Sequence, residues 1–94
     1  MVFERLDVWQ RAVALSCTIY QELASVKDYG FKDQITRSAL SIASNIAEGE
    51  GRETLKDNIR FLYIARGSAA ELITLLHIGM RVGFIEQSIG EDLL

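Results

Sequence analysis

The sequence contains no proline, one cysteine and one histidine. Without proline no helix interior carries an obligatory break or kink. Cys17 alone allows neither an intramolecular disulfide nor a cysteine-rich zinc site. No stretch alternates apolar and polar residues long enough to read as a strand, and no apolar run approaches the roughly 20 residues of a membrane span. The opening Met-Val-Phe-Glu-Arg lacks the layout of a signal peptide. A cytoplasmic protein with no membrane partner is expected. Positive charge is also scarce: 10 Lys and Arg face 13 Asp and Glu, for a net −3 and a pI near 5.0. That balance argues against strong non-specific binding to nucleic acid, which depends on neutralising phosphates.

What remains is half hydrophobic, 49 % of 94 residues, in one domain small enough that self-association is a reasonable expectation. The apolar residues recur at helical spacing, so the fold class is all-α. A first helix is expected from Asp7, as N-cap, to about Ala24, burying Val8, Ala12, Leu15, Ile19, Leu23 and Val26. Val13, Cys17 and Ala24 form a weaker second strip. Lys27 to Gly30 reads as a turn, and a second helix fits about Lys32 to Glu48 with Ile35, Ala39, Ile42 and Ile46 inward. Gln34, Ser38, Ser41, Asn45 and Glu48 form a polar ladder beside that core. After Gly49-Glu50-Gly51, read as a hinge, a third helix fits about Glu53 to Val82. Leu55, Ile59, Leu62, Ala65, Ala69, Leu72, Ile73, Leu76 and Met80 lie on its broad apolar face. That arc is wide enough to pack against more than two neighbours. Gly83 fits a C-cap. A short fourth helix begins near Glu86, with Ile85, Ile89 and Leu93 inward. The architecture expected is an antiparallel up-down four-helix bundle.

The chain offers little for catalysis. His77 is the sole histidine and reads as a packed or boundary residue. Cys17 reads as a small core or interface residue. Carboxylates appear without a Glu-x-x-His pair, so no metal is expected. Gly49-Glu50-Gly51 follows a helix, lacks a following Lys-Ser/Thr, and stands among Glu48, Glu50 and Glu53, which would repel a phosphate. No enzyme activity, cofactor or small-molecule substrate is expected. Arg52, Lys56 and Arg60, spaced i, i+4, i+8 near Tyr63, with Arg37, make the best basic surface for RNA, DNA or an acidic partner. Residues 32–66 carry six bases against five acids, a local +1, whereas 84–94 carry three acids and no base. Asn45 and Glu48 are expected to bond across the Gly49 turn to Arg52 or to backbone donors opening the third helix. Gly67 and Ser68 would let another helix approach closely.

These segments also carry a family resemblance. Leu6-Asp7-Val8-Trp9-Gln10, Ser41-Ile42-Ala43-Ser44-Asn45-Ile46-Ala47-Glu48-Gly49, Gly51-Arg52 and Phe61-Leu62-Tyr63-Ile64-Ala65-Arg66-Gly67-Ser68 occur in this order. The series resembles the bacterial four-helix-bundle 23S rRNA intervening-sequence proteins, a family that includes the accessory variability proteins of diversity-generating retroelements. The resemblance implies a non-catalytic bundle that assembles into a ring-like homopentamer, a scaffold or adaptor whose relatives include RNA-binding members. The sequence departs from the pattern at Ala43, where many relatives carry proline, and at Asn58, where an aromatic residue is frequent. Its turn at Lys27 to Gly30 is shorter, and so is its fourth helix.

Overall fold

The computed structural model describes residues 2–94. A 3-10 turn at Val2–Arg5 leads into α1 (Asp7–Glu22), α2 (Tyr29–Glu50), α3 (Leu55–Val82) and α4 (Gln87–Leu93). The four helices form an antiparallel up-down bundle, 44 × 21 × 20 Å, whose central element is α2. Its largest interface is with α3 and its second with α1. The short α4 packs on the far end of α3, with Ile89 and Leu93 against the larger apolar cluster.

Two apolar clusters hold the bundle. The larger gathers Ile19 and Leu23 from α1 and its end, Ile35 and Ala39 from α2, Leu72, Leu75 and Leu76 from α3, and Ile85. Each such fully buried Leu or Ile contributes about 1.5–3 kcal/mol relative to exposure. The second, toward the other end, is built on Ala12, Ala43, Ile46 and Ala65, ringed by Leu6, Trp9, Val13 and Ile42. Three alanines there let α1, α2 and α3 converge. Ala43, standing where a proline is common among relatives, is buried in that cluster within an uninterrupted 22-residue helix.

The expected boundaries shift where side-chain caps decide them. Leu6, not Asp7, is the N-cap of α1, and it provides no side-chain bond. Asp7 is instead the first helical residue, where a carboxylate suits the helix dipole. α2 begins three residues earlier than expected because the Asp28 carboxylate accepts the Phe31 N–H at 3.0 Å. The same helix continues to Glu50, so Gly49 lies within it rather than in a turn. α3 starts at Leu55 because the Thr54 hydroxyl accepts the Asp57 N–H at 3.2 Å. At its other end Gly83 takes the left-handed conformation, φ 84°, and the Phe84 N–H bonds the Gly79 carbonyl at 2.9 Å. That is the expected C-cap.

The largest departure concerns burial. Val8, expected inside, is 53 % exposed. Cys17 and His77 are exposed as well. Only part of the wide α3 arc is covered: Ala65, Leu72, Leu75, Leu76 and Gly79 are buried, whereas Leu55, Ile59, Leu62, Ile73 and Val82 stand outside. α3 has the length and composition of a membrane span, with an 18-residue window of mean hydropathy 1.2, yet only 22 % of that window is buried. The expectation that no segment reaches that length and apolarity does not hold for α3. One face serves the core, and the remaining apolar surface is left partly or largely exposed.

Candidate functional site

The SIASNIAEGEGR segment ends at the corner where α2 hands over to α3. Gly49 sits in the last turn of α2, pressed on the start of α3. A Cβ at Gly49 would lie 2.9 Å from Phe61 Cβ and 3.1 Å from the Asn58 carbonyl oxygen. Glycine is therefore required by proximity, not by backbone conformation. Gly51 is the C-cap, at an ordinary φ of −82°, and its N–H reaches the Ala47 and Glu48 carbonyls at 3.2 Å. The reversal itself runs through Gly51 to Thr54.

Across this corner Glu48 Oε1 accepts from Arg52 Nη2 at 2.6 Å, as expected. The Arg52 guanidinium also stands 4.7 Å from the Phe61 ring centroid, and Arg60 approaches the same ring at 5.7 Å. Both partners of the ion pair are about half exposed, 55 % and 44 %, so the pair contributes at most about 1 kcal/mol. Phe61 organises this corner by bringing two guanidiniums to one ring. The expected basic ridge is thus assembled differently: Arg52 lies in the turn, and only Lys56 and Arg60 rise from α3. Neither of those two forms an ion pair among the described residues. By the helical rotation of ~100° per residue, Tyr63 shares an arc of about 60° with them. Arg37 does not belong to the ridge. It pairs with Asp33 at 3.0 Å, some 21 Å of helix away from the corner by a rise of ~1.5 Å per residue.

Asn45 does not reach Arg52. Its Nδ2 donates to the Ser41 carbonyl at 2.8 Å and to Ser41 Oγ at 2.9 Å, and Ser41 Oγ shares a 2.8 Å hydrogen bond with Ser68 Oγ. This clasp ties α2 to α3 mid-length, so Ser68 acts through a hydrogen bond. Gly67, by contrast, is exposed, and a Cβ there would meet nothing within 4 Å. Among the described residues no other helix packs on it.

Two participants, Phe61 and Phe3, were not singled out from the sequence, and a third, Asn58, stood out there only as a departure from the family pattern. Phe61 looked like one more apolar residue of α3. Phe3, from the 3-10 turn, lines with Ser44, Ala47, Glu48, Gly51 and Arg52 a cleft of about 410 Å³ beside the corner. Asn58 donates to Glu50 at 3.2 Å, while its Oδ1 is buried without a partner. A wider cleft, about 540 Å³, opens at the opposite end between Tyr20, Tyr29, Lys32 and Thr36. Among the described residues no three His, Cys, Asp or Glu side chains come together.

An all-α bundle whose charged corner and helix clasp are built from hydrogen bonds, ring contacts and close glycine packing defines a helical module. The chain belongs to the 23S rRNA-intervening sequence protein family, whose model matches residues 4–94. Among solved structures it is similar to a protein of unknown function from the S23 ribosomal protein family of Bacteroides thetaiotaomicron. The two share 29 % identity at a TM-score of 0.69, over 99 % of this chain and 84 % of that one. No curated protein matches the chain.

Proposed function

We propose that this chain is a non-catalytic scaffold that works as a homo-oligomer, a ring-like pentamer, through its assembled surface. The observation that carries the reading is apolar surface left uncovered on two different sides. On α3, Ile64, Ile78 and Val82 are exposed on the same side as Gly67, which is open to close approach by another helix. Away from it, Tyr20 on α1, one turn from Cys17, and Leu40 on α2 are exposed. Two unlike faces favour a head-to-tail contact, and such contacts close into rings when the rotation allows. Light scattering at micromolar concentration tests it: five copies are expected, and a clean monomer overturns the reading.

A second reading is binding of RNA or DNA at the corner. Lys56 and Arg60 support it by having no ion-pair partner among the described residues, with Arg52 held over Phe61 next to them. Assembly would multiply this patch, and the net negative charge with it. Filter binding should then weaken steeply with salt and fall on Lys56→Ala/Arg60→Ala; no retention at low salt removes the reading.

A further inference from the structure

The wider cleft, at the end opposite the charged corner, takes part in neither the core nor the basic ridge. Tyr29, Lys32, Asp33 and Thr36 line it at positions i, i+3, i+4 and i+7, one face of the first two turns of α2. Tyr20, in the last turn of α1, and Ala24, just beyond it, make the other wall. The volume of about 540 Å³ falls within the roughly 300–1,000 Å³ of small-molecule sites, which likewise combine aromatic walls with a few polar groups.

The unspent polar groups of this cleft are donors. The partly buried Lys32 ammonium gives one N–H to the Ala24 carbonyl at 3.1 Å and stands 5.4 Å from the Tyr29 ring centroid. Two of its N–H groups are left over, and it forms no ion pair among the described residues. Neither phenol hydroxyl is hydrogen-bonded among those residues. The one acid of the cleft is already neutralised, since Arg37 Nε bonds Asp33 through Oδ1 at 3.1 Å and Oδ2 at 3.0 Å. Thr36 turns its hydroxyl proton back on its own helix, toward the Lys32 carbonyl at 2.7 Å.

That inventory decides the charge of the occupant. A cation would be repelled by Lys32, which already stands over the Tyr29 ring that would otherwise attract it. A neutral apolar molecule would strip water from the ammonium and the phenols without replacing its hydrogen bonds. An anion accepts from all three, and a carboxylate on an ammonium makes the shorter and stronger charge-assisted bond. The phenol rings on both walls suit a flat aromatic body. We propose that this cleft binds a small planar aromatic carboxylate, with its ring between Tyr20 and Tyr29 and its carboxylate on Lys32 Nζ. The site depends on neither the scaffold reading nor nucleic-acid binding at the corner.

The test is equilibrium dialysis of the full chain against 1-naphthoate and its neutral twin 1-naphthamide, at about pH 7.5, where the carboxylate is ionised. Naphthoate should be retained at least about tenfold more tightly than the amide. Lys32→Gln should erase that preference, whereas Lys32→Arg, which keeps the cation, should preserve most of it. Tyr29→Ala, at a position 73 % exposed, should weaken both probes about threefold or more. Tyr20 also stands on the surface offered to a neighbouring subunit, so Tyr29 is the ring to change. Circular dichroism checks that each variant keeps its helix content. A readout that needs no variant is salt: raising it from roughly 20 to 200 mM should narrow the wild-type preference. No retention up to roughly 1 mM, equal retention of the two probes, or a preference unmoved by Lys32→Gln or by salt overturns the inference. Retention of both probes unmoved by Tyr29→Ala overturns it as well, since they would then bind elsewhere on the exposed apolar surface.

Discussion

Single residues show which parts of the glycine-rich motif carry structure. Gly49 and Gly67 look alike in the sequence, each beside small polar residues on a helix, yet their surroundings are opposite. A methyl at Gly49 meets Phe61 Cβ at 2.9 Å and backbone at 3.1 Å. Overpacking of that kind costs about 1–3 kcal/mol, more than the helix-propensity gain of about 1 kcal/mol. At Gly67 only the gain remains. Gly49→Ala should lower the melting temperature and Gly67→Ala should raise it by ~4–8 °C, measured below micromolar concentration; the same sign at both positions would contradict the packing. Asn58 is the other informative residue. Its orphaned Oδ1 forfeits about 1–3 kcal/mol, whereas its amide bond to Glu50 is exposed. Asn58→Leu should therefore stabilise by ~1 kcal/mol, while Asn58→Asp, which adds a charge beside Glu50, should destabilise. Thermal unfolding of both variants checks the pair, and a destabilised Asn58→Leu would mean that the amide is doing structural duty at this corner.

At the scale of elements, helix existence was legible and helix ends were not. The buried residues of α1 and α2, Ala12, Ile19, Leu23, Ile35, Ala39 and Ile46, follow the apolar stripes of the sequence, because one dominant face decides a helix's orientation. Ends depend on single bonds instead. Asp28 and Thr54 cap α2 and α3 with side-chain oxygens, and apolar periodicity carries no sign of either. Gly30 and Gly49 read as turn residues yet fall inside α2, since close packing and capping outweigh a propensity cost of about 1 kcal/mol each. The site was partly legible for the same reason. Glu48 with Arg52 is an i, i+4 pair and could be read from spacing. The role of Phe61 and the Ser41–Ser68 clasp arise where two helices meet, and no spacing along one chain encodes that. α3 misled in one respect: an apolar arc reports that a face is to be covered, without reporting whether the cover comes from the same chain.

For the whole molecule, that last ambiguity becomes measurable. If Ile64, Gly67 and Ile78 form a contact between copies, association is linked to folding, and stability rises with protein concentration. For a pentamer each tenfold increase in concentration adds about 1 kcal/mol per chain, or ~4–8 °C in a domain of this size. Ile64→Lys/Ile78→Lys places two cations at positions exposed in the single chain, so the dilute melting temperature should stay within about 2 °C of wild type, as surface substitutions usually do. The concentration dependence should disappear, because each new contact would desolvate unpaired ammonium groups. Leu62→Asp, about 160–200° around the same helix, should leave the dependence intact. A scan of melting temperature from about 1 to 100 µM for the three proteins decides between them. A flat wild-type profile removes self-association altogether, and a profile flattened by Leu62→Asp rather than by the paired lysines moves the subunit contact onto the Leu62 side of α3.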